Sequence, residues 1–156
     1  MPSAFHESMA GRFSDTIVKW LGSVQTGTLC TVDSTREETK NVADKISSSL
    51  AKRVKCREPR DDHLEPDLSY TFEDCSVADL LVEVAWSQSK LKLSDRAKRY
   101  IEGSDGNIRT VVGLNMNDIY RGGRNATFSI WRAQLVGERW NCGTAETQVK
   151  EFGLPN

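Results

Sequence analysis

Residues 65–83 read EPDLSYTFEDCSVADLLVE and continue as VAWSQ to Gln88. The run Leu68-Ser69-Tyr70-Thr71-Phe72 alternates apolar and polar side chains, the period of a half-buried strand, and it starts directly after Pro66-Asp67. A polar turn from Glu73 to Ser76 leads to a second apolar run, Leu80-Leu81-Val82-Glu83-Val84-Ala85-Trp86, with one carboxylate in its middle. A carboxylate in such a run is not fully buried unless something positive sits against it. Two neighbouring strands, each offering one carboxylate near the same end, make a small oxygen-lined pocket for a hard divalent cation. Asp67 and Glu83 are those carboxylates, and hydrolysis of a phosphodiester is the chemistry such a pocket suits.

Working outward, the period of two places Glu83, Ala85 and Ser87 on one face of the second strand and Val82, Val84 and Trp86 on the other. A helix is predicted from Ser94 or Asp95 to Gly103, with Ala97, Tyr100 and Ile101 turned to the core. Arg96 and Tyr100, four apart, share a face of it, whereas Lys98 lies about 200° round from Arg96. Asp105-Gly106-Asn107 signals a turn. Strands are expected over 108–116 and 126–134, joined by a loop containing Gly122-Gly123, and a short edge strand within 149–154.

Upstream, Phe5, Met9, Phe13, Ile17 and Leu21 recur at helical spacing, which predicts an amphipathic helix over 4–21 ended by Gly22. TGTLCTV at 26–32 is rich in β-branched residues and reads as a strand. A Ser34/Glu37 capping pair opens a second predicted helix running to about Ala51, with Val42, Ala43, Ile46 and Leu50 as its buried stripe. Lys52-Arg53-Val54-Lys55-Cys56-Arg57 is the densest basic cluster in the chain and the candidate for contact with a phosphate backbone. His63 has no partner at zinc-ligand spacing.

Pro66-Asp67 followed by Val82-Glu83-Val84-x-x-Ser87 resembles the PD-(D/E)XK nuclease-like superfamily, in particular its Uma-type restriction endonuclease branch and a set of fungal relatives. Ser87-Gln88, the helical segment Asp95–Ile101, Gly103–Arg109, Val111–Leu114 and Ala126–Arg132 carry the likeness onward, so that it covers about residues 64–134. The resemblance implies an α/β restriction endonuclease-like sandwich, a central mixed β-sheet flanked by helices, in one domain over 1–156 with its core at about 34–134. It implies a Mg2+ (or Mn2+) ion held by Asp67, Glu83 and the backbone carbonyl of Val84. An early helix adds a third acid in some members, which makes Glu7 a candidate against its reading as a solvated helix-face residue. The superfamily pattern expects a lysine two residues after the glutamate, and Ala85 stands there. Some members carry the positive group on the following helix instead. Arg96, paired with Tyr100, is then the expected replacement, with Gln88 or Lys90 as alternatives.

The length and the 38% hydrophobic content suit one domain with one core. No apolar run approaches the roughly 20 residues that span a bilayer. A formal net charge of -1 argues against a sequence-blind, strongly basic nucleic-acid binder but not against local phosphate contact. Cys30, Cys56, Cys75 and Cys142 show no CxxC spacing and read as reduced thiols of an intracellular protein, the other reading being a secreted chain with disulfides. Two functions follow from these residues. One is a metal-dependent nuclease. The other, which Ala85 favours, is an inactive nuclease-fold module that binds nucleic acid or a protein partner.

Overall fold

In the computed structural model, which describes residues 4–26, 33–49, 54–55, 63–73, 75, 77–86 and 93–151, the two apolar runs are adjacent strands. β4 (Leu68–Phe72) and β5 (Leu80–Ala85) pair antiparallel with Leu68 opposite Val82. Before them come α1 (Ala4–Gln25), α2 (Asp33–Asp44), β1 (Ile46–Ser49) and the two-residue strands β2 (Val54–Lys55) and β3 (His63–Leu64). After them come α3 (Leu93–Gly103), β6 (Thr110–Asn115), α4 (Asn117–Tyr120), β7 (Asn125–Val136), β8 (Arg139–Cys142) and β9 (Glu146–Glu151). The main sheet has seven strands among the described residues, in the order β1-β4-β5-β6-β7-β8, and β9 lies beside the first half of β7. Its pairings are antiparallel except β5 with β6, which α3 connects as a crossover. The chain is thus a mixed α/β protein with a mostly antiparallel sheet flanked by helices.

The pleat divides the core in two. On one face Leu81, Val111 and Trp131 pack with Ala97, Tyr100 and Ile101 of α3 and with Ile108. Leu81, Tyr100, Ile101 and Ile108 are fully buried, and each such side chain contributes about 1.5–3 kcal/mol of transfer free energy. Gly113 of β6 makes this packing possible. A Cβ there would lie 2.7 Å from Trp131 Cζ3 and 3.1 Å from Leu93 Cδ1, so only a bare α-carbon lets the indole lie across β6. On the other face Tyr70, Val82, Val84, Val112, Met116 and Ala126 form a second cluster, which Phe13 and Ile17 of α1 cover. Val54 and Leu64, a cross-strand pair, belong to the α3-side cluster and fix β2 and β3 there.

Several expectations need correction. The second helix stops at Asp44 rather than near Ala51, and Ile46–Ser49 forms β1, pairing with β4 from Ile46 opposite Phe72 to Ser49 opposite Ser69. Ile46 kept the helical period with Val42, but a β-branched residue followed by three serines is a poor helix end, and an open sheet edge rewards it more. The turn between α2 and β1 is fastened by Glu73, whose N–H donates to Lys45 O and whose carboxylate meets Lys45 Nζ at 2.6 Å. Val42 is consequently exposed, while Ala43 packs with Leu21 and Val24 of α1. α1 runs on through Gly22 to Gln25, whose side-chain amide donates to Ala43 O. Residues 117–120, read as loop, make the short helix α4. Of the strand expected over 26–32, residues 27–32 lie outside the described residues, and Thr26 ends α1 as a turn. The side chains of Phe5 and Met9 also lie outside the described residues. No helix of the described residues is long and apolar enough to cross a membrane.

Candidate active site

Asp67 is the residue just before β4, so continuing the Leu68–Val82 register by one position sets it opposite Glu83. Buried Pro66 precedes it and restricts the backbone where the strand begins. Its Oδ2 accepts a hydrogen bond from the Val84 N–H at 2.7 Å, closing the β5 edge beyond the point where β4 begins. A strand residue directs its N–H and C=O to the same side. The Val84 carbonyl therefore projects toward Asp67 as well.

Glu83 follows from the pleat: Leu81, Glu83 and Ala85 alternate with Val82 and Val84, and Glu83 faces α3. Its side chain is only 4% exposed. Two donors from α3 meet one of its oxygens, Arg96 Nη2 at 2.6 Å and the Tyr100 hydroxyl at 2.5 Å. Arg96 and Tyr100 are one helical turn apart, and Arg96 Nη2 also donates to Tyr100 Oη and to the Glu65 carbonyl, each at 3.0 Å. The Arg96 Nε is buried and has no hydrogen-bond partner among the described residues. Glu65, Asp67, Glu83, Arg96 and Tyr100 thus form one polar cluster at the start of β4, walled by the apolar packing of α3.

Burial pushes the Glu83 carboxyl above its ordinary pKa; Arg96 and the Tyr100 hydroxyl pull it back in part, and the charge of Asp67 raises it. For Arg96, burial works against the charged form, but the Glu83 carboxylate and then Tyr100 outweigh it and leave its pKa raised. The Tyr100 hydroxyl is also pushed up, by burial first and by Glu83 second, so it stays a donor.

The residues named from sequence are distributed as follows. Asp67, Glu83, Val84 and Arg96 come together. Ala85 is fully buried on β5, and its carbonyl accepts from the Met116 N–H, so no positive group enters from that position. Glu7 is exposed on α1, which covers the opposite face of the sheet, and it does not join the cluster. Gln88 and Lys90 lie outside the described residues, as do Lys52, Arg53 and Arg57; Lys55 is described only through its backbone on β2, opposite His63. Sequence reasoning assigned no role to the Glu65 carbonyl and read Tyr100 mainly as core. The four-residue spacing of Arg96 and Tyr100 was the signal for the latter.

The donor set was tested against a magnesium ion. Two carboxylates and a carbonyl are hard oxygen donors, and Mg2+ is commonly held by one or two carboxylates together with water and substrate phosphate. No group of three or more His, Cys, Asp or Glu side chains converges among the described residues. The residues fit a cation held jointly with a phosphate. Compared with protein-family models, with curated proteins and with solved structures, the chain gives no match.

Proposed function

We propose that the chain is a Mg2+-dependent nuclease with a restriction endonuclease-like architecture, its site built from Asp67, Glu83, Val84 and Arg96. The observation that carries this reading is the placement of Asp67 opposite Glu83 on neighbouring strands, with an arginine already seated against Glu83. Asp67, Glu83 and the Val84 carbonyl would hold the ion, which when bound supplies a Lewis acid and lowers the pKa of water. Arg96 remains protonated at any working pH, so it binds and neutralises a phosphate oxygen rather than taking a proton. Tyr100 and the Glu65 carbonyl fix the guanidinium, so its position does not depend on substrate. Glu83 is the proton acceptor within reach, and burial gives it more basicity than a solvated carboxylate.

Val54 of β2 packs in the cluster that contains Tyr100, so β2 lies on the side of the sheet that carries Glu83. Lys52, Arg53, Lys55 and Arg57, proposed from sequence as phosphate contacts, lie within or next to it in the chain.

One observation favours the second reading, a non-catalytic module of the same fold: a Glu83 oxygen is already held by Arg96 and Tyr100. A single set of assays separates the two. Wild type, Glu83→Gln and Arg96→Ala are incubated with labelled single- and double-stranded DNA and RNA and Mg2+ or Mn2+. The nuclease reading expects cleavage by wild type that EDTA and both substitutions abolish. Binding without cleavage, unchanged or improved in Glu83→Gln, would establish the module instead. Neither binding nor cleavage would point to a protein partner.

A further inference from the structure

The sheet face away from Glu83 is incompletely filled. α1 packs on α2 through Leu21, Val24 and Ala43, and reaches the sheet through Phe13 and Ile17. Beneath it lie two cavities of about 630 and 400 Å³, with Phe13 and Phe128 as a common wall. The smaller reaches β4 at Tyr70 and Phe72, and the larger reaches β9 at Gln148 and Lys150. From β4 to β9 the sheet order crosses four inter-strand spacings, roughly 19 Å at about 4.8 Å each. Apolar cavities of several hundred cubic ångströms with a few polar groups at one end are the usual form of small-molecule sites.

The two ends differ in charge. Arg12 of α1 and Lys150 of β9 both line the larger cavity, neither has an ion-pair partner among the described residues, and no carboxylate lines it. The smaller cavity is walled by side chains such as Ile17, Leu80 and Val112, with Trp20 on its border. Its one acid, Asp79, is turned to the Phe72 N–H, where its Oδ2 accepts at 3.1 Å. A ligand that fits both ends is long, single-chained and apolar, with one anionic head.

We propose that the two neighbouring cavities together take one long-chain fatty carboxylate, its head between Arg12 and Lys150 and its tail passing Phe13 toward Trp20. The assignment is independent of the nuclease reading, because both cavities lie on the other face of the sheet from Glu83.

Trp20 provides the readout. Hexadecanoate brominated near its methyl end is titrated into the full chain while tryptophan fluorescence is followed. The same acid brominated next to the carboxylate, and brominated hexadecanol, serve as comparisons. Quenching should be saturable, stronger for the methyl-end label, and largely lost in Trp20→Phe while calorimetric binding of the acid persists. Arg12→Gln with Lys150→Gln, both exposed positions, should weaken the acid about tenfold, since each exposed ion pair contributes up to about fivefold, and should leave the alcohol unchanged. No saturable binding of the acid, equal affinity for the alcohol, or equal quenching from both label positions would overturn the proposal. Nuclease assays of the double variant should match wild type, so failure of one assignment leaves the other standing.

Discussion

Arg96→Met removes the guanidinium while keeping a long apolar side chain, and its cost can be worked from the contacts. Glu83 is left almost fully buried with the Tyr100 hydroxyl as a donor and the charge of Asp67 nearby. Removing one partner of a buried ion pair costs about 3–5 kcal/mol; the Arg96 side chain keeps 24% of its surface exposed, which puts the expected loss at the lower end, about 3 kcal/mol. The loss must depend on pH. Glu83 already titrates above its unfolded value, burial being the main cause. A carboxyl raised in this way contributes stability that is full below the unfolded pKa and lost as pH rises through the folded one. Taking away Arg96 raises the folded pKa further and extends that loss upward in pH. Urea unfolding of the variant should show the full deficit at neutral pH and a much smaller one under mildly acidic conditions, where Glu83 escapes by protonation. Arg96→Met combined with Glu83→Gln should recover most of it. A neutral-pH loss under about 1 kcal/mol, the value of an exposed pair, would refute the reasoning, and so would a double variant whose losses simply add.

Three further outcomes are expected. Tyr100→Phe deletes the hydroxyl that donates to Glu83 at 2.5 Å, and urea unfolding should record a loss of about 1.5–3 kcal/mol, the range for a hydrogen bond to a charged group. Gly113→Ala forces a Cβ against the Trp131 ring and should cost about 1–3 kcal/mol by overpacking, with a shift in Trp131 fluorescence that a silent surface change would not give. Mn2+ affinity, followed by calorimetry, should fall on acidification at a higher pH than for a solvated carboxylate, because protons compete at the raised Glu83; a pH-independent affinity would separate Glu83 from the ion.

What was legible in the sequence was whatever a short-range period could encode. The alternation at 68–72 and the run at 80–86 gave β4, β5 and the face of Glu83, because a pleat leaves a side chain only two directions. The helical period at 97, 100 and 101 gave the inward face of α3, and with it the approach of Arg96. What was missed depends on partners distant in sequence. Ile46 keeps step with the Val42 stripe, and only the open edge of β4 makes it a strand residue. Residues 139–142 alternate over only four positions within a mostly polar stretch, too short a run to read as a strand from sequence, yet they pair with the far half of β7 and seat Trp140 over Arg109, 4.1 Å from its guanidinium carbon to the ring centroid. The Glu65 carbonyl became part of the site through a backbone atom, which no residue type announces.

On the nuclease reading, carrying the positive group on the helix rather than on the strand changes what it can do. A lysine at position 85 would enter on the strand two residues beyond Glu83, and Ala85 is fully buried. Its ammonium could lose a proton there, and so take part in activating water. Arg96 enters from α3, stays charged, and is clamped by Glu83, Tyr100 and the Glu65 carbonyl before any substrate arrives. It is therefore pre-organised for a phosphate and ill suited to proton transfer. On the nuclease reading the proton would pass to Glu83, which is also the residue that holds the arginine. Positioning and proton transfer then compete for one carboxylate: each proton that Glu83 accepts weakens its grip on Arg96. If the chain is the proposed nuclease, turnover would require the phosphate to take over the guanidinium as Glu83 gives it up, so hydrolysis should be tightly coupled to substrate binding, with little background activity toward small phosphodiesters that cannot engage Arg96.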